Sequence, residues 1–308
     1  MNKPNKQQIL VAGSSNTDMV IKTGHLPRPG ETVLGGTFLM NPGGKGANQA
    51  VSAARLDGQV SFICKTGNDI FGEKSRQLFE EEGIDTTYVF SDSEHPSGVA
   101  LITVDANAEN CIVVASGANA HLTPADISTA HEAIEKAGII LMQLEIPMDT
   151  VKYVADIARK LDKKLILNPA PAQPLERELL QSLDLITPNE TEAEMISGIK
   201  ITDTDSLLAC ARAIHEMGVQ SVIITLGAKG AFIYNHHFQE LVPSYEVDAV
   251  DTTAAGDVFN GALAVAISEG HDLFEAVRFA NRAAAISVTR IGAQASAPYR
   301  NEIYQPSN

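Results

Sequence analysis

Asp257 stands at the end of the run Asp251-Thr-Thr-Ala-Ala-Gly256, where a helix begins. Apolar residues recur after it at Phe259, Ala262, Leu263, Ala266 and Ile267, the period of an amphipathic helix. The helix therefore starts near Ala255–Gly256, and its first N–H groups lack intrahelical partners. Together with the helix dipole they form a site for an anion, and Ala254, Ala255 and Gly256 put little bulk in front of it. A carboxylate in the first turn repels a bound phosphate unless it has a task. The natural task for Asp257 is to accept a proton from a hydroxyl that attacks a phosphoryl group. Aspartate also suits a first turn for dipole reasons alone, so this residue by itself leaves both readings open.

A second stretch could do chemistry. In Gly43-Gly-Lys-Gly46 the glycines let the backbone approach a small polar ligand, Lys45 offers a cation, and Asn48 an amide that donates and accepts. A hydroxyl-rich ligand suits such a site; a tight turn with a solvated lysine fits the same residues. It is not a Walker A loop, because Gly46 occupies the place of the Mg²⁺-binding Ser or Thr. No GxGxxG follows the first strand, which disfavours a dinucleotide fold. Thr225-Leu-Gly-Ala-Lys-Gly230 is a further turn whose N–H groups suit nucleotide phosphates. Asn189-Glu-Thr-Glu192 opens a helix, and its acids serve equally as a helix start or as partners of a hydrated Mg²⁺.

The elements that must position these residues alternate. Buried strands are expected at Ile9–Gly13, Val60–Cys64, Ile139–Gln143, Lys164–Asn168, Leu185–Thr187 and Ser221–Thr225. Helices are expected at Ala47–Leu56, Phe71–Glu82, Asp149–Leu161, Glu190–Ser197 and Ser206–Met217. Such alternation predicts an α/β fold with a mostly parallel sheet covered on both faces. Ligands of open α/β sheets bind at the carboxyl ends of the strands, which gathers Asn16, Asp18, Glu145, Asn168, Asn189, Glu192, Thr225 and Gly227 at one edge. Short β-prone pieces at Met19–Ile21 and Thr32–Leu34, and a hairpin of Ser97–Thr103 with Cys111–Ala115, predict a separate small sheet. Ala231–Tyr234 and Gln239–Val242 read as a hairpin turning at His236–His237.

Composition narrows the partners. A net charge of −15 over 308 residues argues against nucleic acid and anionic membranes. No apolar run approaches the length of a membrane helix. Cys64, Cys111 and Cys210 are scattered, without a CxxC, and read as reduced and mostly core, which suits a cytoplasm. The N-terminal apolar stretch is too short for a signal peptide. No zinc-type His or Cys spacing occurs.

Taken together, the motifs resemble the PfkB carbohydrate kinase family, and most closely its ribose-phosphorylating branch. The resemblance rests on Pro42-Gly-Gly-Lys-Gly-Ala-Asn-Gln-Ala-Val-Ser-Ala-Ala-Arg55 and on Asp251-Thr-Thr-Ala-Ala-Gly-Asp-Val-Phe-Asn-Gly261. Gln143-Leu-Glu145, Asn168-Pro-Ala-Pro171, Thr187-Pro-Asn-Glu-Thr-Glu-Ala-Glu194 and Thr289-Arg-Ile-Gly-Ala-Gln294 extend it over nearly the whole chain.

The resemblance implies one three-layer α/β/α domain over residues 1–308 with a β-sheet lid from about 16–41 and 97–117, and a homodimer through that lid. It implies transfer of phosphate from ATP to O5 of D-ribose, with Asp257 as base and the N–H groups of Ala254, Ala255 and Gly256 as anion hole. Asn16, Thr17, Asp18, Gly44, Lys45, Gly46, Asn48 and Glu145 would contact ribose. Asn189, Thr225, Leu226, Gly227, Gly230, Gly256 and Asn281 would contact ATP, with Asn281 near the adenine and Glu192 ordering Mg²⁺ through water. Asp251, Thr253, Ser287, Arg290 (through its carbonyl), Gly292 and Ser296 would hold K⁺. The chain stops soon after Ile303, so the family's last helix is expected to be short or missing. A kinase for 2-deoxyribose, another sugar or a nucleoside, and a non-catalytic sugar-binding regulator, are the alternatives.

Overall fold

The computed structural model describes residues 6–107 and 109–304. Thirteen strands follow in chain order: β1 (Gln8–Ala12), β2 (Asn16–Lys22), β3 (Thr37–Gly43), β4 (Val60–Gly67), β5 (Val89–Asp92), β6 (Gly98–Val104), β7 (Asn110–Ala115), β8 (Ala137–Met142), β9 (Lys164–Leu167), β10 (Leu185–Ile186), β11 (Ser221–Thr225), β12 (Ala231–Tyr234) and β13 (Gln239–Val242). Nine of them form the main sheet in the order β13-β12-β11-β10-β9-β8-β1-β4-β5. It is parallel from β5 to β11 and antiparallel only at β12 and β13. The hairpin at Asn235–Phe238 turns where expected. From β1 the chain moves first toward β4 and β5, and from β8 it moves the other way, so the sheet's topological switch lies between β1 and β8. Open α/β sheets place ligands outside the carboxyl ends of their strands, beside such a switch.

The strands are continuous apolar runs because both faces are covered. In β1, Ile9 and Val11 join one core and Leu10 and Ala12 the other. The first core lies under helices Lys45–Arg55, Ala255–Ser268 and Leu273–Ser287. The second lies under helices Met148–Lys160 and Thr204–Glu216. Ile9 is fully buried, and truncation to alanine costs about 2–5 kcal/mol. Among the described residues no helix is long and apolar enough to cross a membrane.

The second sheet has the order β3-β2-β6-β7. Two antiparallel hairpins are joined by parallel pairing of β2 with β6, Asn16 opposite Gly98. One expected strand is wrong. Thr32–Leu34 is irregular and Leu34 is 91% exposed; the strand is Thr37–Gly43. β-propensity lost here to pairing, because only residues 37–43 find partners along Asn16–Lys22. The edge strand Val89–Asp92 and the helices Pro124–Thr129 and His131–Lys136 escaped the sequence reading, being too short for a period to show. Cys111 is exposed on β7 rather than in a core, while Cys64 and Cys210 are buried. A short last helix is present at Arg300–Ile303, tied back by Arg300 to Glu269 at 2.8 Å.

Candidate active site

The helix Ala255–Ser268 starts at Ala254, which takes a left-handed conformation (φ 59°) unusual for a residue with a side chain. That kink aims the first helical N–H groups outward. The Ala255 N–H donates to the Thr252 carbonyl at 3.2 Å, so it is not wholly free for an anion, which corrects the expected trio. The N–H groups of Gly256 and Asp257 have no acceptor among the described residues. They face a cavity of ≈ 200 Å³ lined by Lys45, Asn189, Glu192, Thr225, Gly256 and Asp257 among others. A Cβ on Gly256 would meet nothing within 4 Å, so the space before these donors is open.

Asp257 is 6% exposed. Asn48 donates its amide to Oδ2 and Gln49 to Oδ1, each at 2.9 Å. Burial drives the Asp257 carboxyl above its ordinary pKa, opposed by Lys45 and by those two amides. Such a group holds a proton more readily than a solvated aspartate, as a base must.

The sugar-side residues converge from both sheets. Gly44 takes φ 88° and ends β3, so that Lys45 opens the next helix rather than following a loose glycine turn. A Cβ on Gly44 would lie 2.7 Å from the Asn16 nitrogen, and one on Gly43 would lie 2.3 Å from the Asp18 carboxylate. Glycine is therefore required at both places for β2 and β3 to bring Asp18 alongside. Across the switch point, the Ser14 hydroxyl donates to Glu145 Oε2 at 2.6 Å and the Lys45 N–H donates to the same oxygen at 3.1 Å. Asn119 fixes the start of β2: it bonds Ser15 in both directions at 2.9 and 3.0 Å and donates to Asn16 Oδ1 at 2.8 Å. Thr17 and Gly46 are buried beside these groups, and Gly46 donates to Ser14.

Lys45 sits among four carboxylates. Burial lowers its pKa, but Asp257, Glu145, Glu192 and Asp18 outweigh burial and raise it above the ordinary lysine value. Asp18 is perturbed as well: burial, then Glu145 and Asp257, push it to about 6. Four acids around one ammonium is a poor arrangement for an empty site and a good one for a ligand rich in hydroxyl donors.

On the other side, Asn189 and Glu192 spend part of their polarity on each other. The Glu192 N–H donates to Asn189 Oδ1 and the Asn189 N–H to Glu192 Oε2, both at 2.9 Å, in a capping box. Glu192 remains 6% exposed on the cavity, with burial raising its carboxyl pKa. A larger, more apolar cavity of ≈ 390 Å³ adjoins, sharing Thr225, Thr252, Ala255 and Gly256 with the first. Gly227, Gly230, Tyr245, Phe259 and Asn281 line it. Leu226 is buried beneath. The Asn281 amide nitrogen donates to the carbonyls of Val242 and Pro243, at 3.0 and 3.2 Å, and so holds the cavity wall.

Behind the helix start, Asp251 accepts N–H bonds from Thr253 and Gly292, each at 2.9 Å, and Val250 and Asp251 donate to the Val288 carbonyl. Their bonds outweigh burial and hold the Asp251 carboxyl below its ordinary pKa. The Ser287 and Ser296 hydroxyls donate to the carbonyls of Ala284 and Ala293, and the Arg290 side chain pairs with Glu302. Loop 251–254 is thus bound to the segment 288–292.

The sequence reading missed Ser14, Gln49, Asn119 and Gln143. One signal was available for Gln49: on the helix Lys45–Arg55 its neighbours three and four positions away include Gly46, Ser52 and Ala53, small residues that let a long amide be buried.

The chain is similar to known carbohydrate kinases over nearly its whole length. The model of the pfkB family of carbohydrate kinases matches residues 6–300. A ribokinase of Haemophilus influenzae is 46% identical over 297 residues, 96% of this chain and 97% of that protein. A deoxyribokinase of Salmonella typhi is 39% identical over 291 residues, 94% of this chain and 95% of that protein. The structure of an Arabidopsis thaliana ribokinase complexed with ribose and ATP superposes with a TM-score of 0.88 at 32% identity, covering 96% of this chain and 97% of that one. The chain belongs to the pfkB family of carbohydrate kinases.

Proposed function

We propose that this chain phosphorylates O5 of D-ribose with ATP. The observation that carries the reading is Asp257, a buried carboxylate held by two amides beside the open N–H group of Gly256. The larger apolar cavity takes the nucleoside of ATP, and the smaller one its transferring phosphate. Asp18, Glu145, Lys45 and Asn48 hold the sugar hydroxyls. The sugar oxygen attacks the γ-phosphorus, its proton passes to Asp257, the bond to the β,γ-bridging oxygen breaks, and ADP leaves. Gly256 and its neighbours stabilise charge on the transferring group.

Glu192 fits a hydrated Mg²⁺, because among the described residues its Oε1 has no hydrogen-bond donor, in a cavity that would hold phosphates. Such an ion neutralises phosphate charge and takes most of its ligands from phosphate and water. The pairing of Asp251 with Gly292 supports a K⁺ site of carbonyls and one carboxylate that steadies the loop ahead of the helix. The small sheet acts as a lid. Its face opposite Asp18 carries Ile21, Phe38, Met40, Leu101 and Val113, all exposed, and this supports dimerisation through the lid. The deoxyribokinase relative supports a second reading, in which 2-deoxyribose is the preferred sugar.

The experiment is coupled ADP release across ribose, 2-deoxyribose, other sugars and nucleosides, with NMR of the product to locate the phosphate. The highest kcat/KM on ribose with phosphate on O5 supports the reading. A higher kcat/KM on another substrate replaces it.

A further inference from the structure

Beyond Asp257 and its neighbour Asn48, a fully buried glutamine is wired to the base. Gln49 is 0% exposed. Its amide nitrogen donates twice, to Asp257 Oδ1 at 2.9 Å and to Asn168 Oδ1 at 3.0 Å. Its carbonyl accepts from Gln143 Nε2 at 2.6 Å. Gln143 stands at the end of β8, and the missing Cβ of Gly13 makes room for it: one there would lie 2.1 Å from Gln143 Oε1. Asn168 donates onward to the Thr187 carbonyl, the Thr187 hydroxyl donates to Asn260, and Asn260 donates to the Gly256 carbonyl at 2.8 Å. The chain of bonds leaves the base through Gln49 and returns at the residue whose N–H faces the phosphate cavity.

We propose that Gln49 is a positioning residue for phosphoryl transfer, its amide orienting the Asp257 carboxylate and coupling it to the helix start at Gly256. The inference rests on the kinase reading above. Asn48 and Gln49 present two amide donors to Asp257, one to each oxygen, a set that suits a carboxylate, because a protonated acid would turn one of those oxygens into a donor facing a donor. Gln49 thereby favours the form that takes up the proton, against the burial that disfavours it. The other groups that act on Asp257 are Lys45, which favours the charge, and Glu145, Asp18 and Glu192, which oppose it.

The test compares wild type, Gln49→Met, Gln49→Glu, Gln143→Met and Asp257→Asn in single-turnover rates at saturating sugar and ATP, across pH. Saturation removes titration of the free enzyme's Asp18 from the profile. Gln49→Met keeps the length of the side chain and loses the donor. Its rate should fall roughly 10–100-fold, the scale of a misplaced reacting group, with KM for both substrates within about threefold. The acid limb should move to higher pH, further for Gln49→Glu, which adds a carboxylate, and less for Gln143→Met. Wild-type rate and limb in Gln49→Met overturn the inference, and so does a loss of rate with the limb unmoved. If Gln49→Met does not fold, by circular dichroism and thermal melting, Gln143→Met decides: a shifted limb supports the inference and an unmoved one overturns it. Asp257→Asn separates the levels. If it stays active, Asp257 is not the base and the role of Gln49 falls with it; if wild type transfers no phosphate to any sugar, the kinase reading itself fails; if Asp257→Asn is dead while Gln49→Met is like wild type, only the role of Gln49 fails.

Discussion

Asn48 donates one end of its amide to Asp257 Oδ2 at 2.9 Å, while the other end, Oδ1, is buried with no partner among the described residues. A buried acceptor left unmade costs about 1–3 kcal/mol. A sugar hydroxyl that donates to Oδ1 removes that cost only when substrate is bound, and it lies next to the oxygen that takes the proton.

Replacing Asp257 by asparagine keeps the shape and removes the base. We expect kcat to fall roughly 10²–10⁴-fold with sugar binding changed far less. Steady-state kinetics with isothermal titration of the sugar checks this; a kcat near wild type would exclude Asp257 as the base.

Asp18 makes the pH dependence specific. Its folded-state pKa of about 6 lies above the ordinary 3.8, so the folded protein binds that proton more tightly than the unfolded chain. The carboxylate form therefore costs stability, beginning above 3.8 and complete above about 6. The cost is about 3 kcal/mol at most. Asp18→Asn should raise the melting temperature of the sugar-free protein at pH 8, and this gain should vanish below pH 3.8. The same variant should raise KM for the sugar roughly 10–100-fold, since hydrogen bonds to a charged acceptor are lost. Equal melting temperatures of wild type and variant at pH 8 would show that Asp18 is not strained.

The Asp251–Gly292 contact leads to an ionic prediction. At fixed ionic strength, potassium chloride should activate a desalted enzyme over tetramethylammonium chloride, and Asp251→Ala should lose the activation. The effect belongs in kcat, because a loosened loop misplaces donors that act on developing charge. Equal rates in sodium, potassium, caesium and tetramethylammonium would rule the site out.

The outer face of the small sheet carries Leu101 and Val113, 55% and 62% exposed. Sedimentation should find wild type as a dimer at micromolar concentration, and Leu101→Glu as a monomer with normal melting. A monomeric wild type would leave this face without the assigned partner.

Much of this was legible in the sequence because it is local. The anion-binding helix start needs only Ala254–Asp257 and the apolar period that follows, all within a few turns of chain. The parallel sheet needs only buried runs that alternate with amphipathic ones, and the polar strand ends then fall at one edge by topology. What stayed hidden depends on register and packing between distant segments. Thr32–Leu34 has the right residues for a strand, yet it has no neighbour to bond. Gln49 reaches Asp257 across 208 positions, and Ser14 reaches Glu145 across 131. Propensity acts within a window of a few residues, whereas a buried polar group is placed by whichever partner the folded core brings within 3 Å of it. Local motifs were enough to nominate Asp257, Lys45 and Asp18 for the proposed chemistry; Gln49 came to light only in the folded core, because the cost of burying it is met only where Asp257, Asn168 and Gln143 meet it.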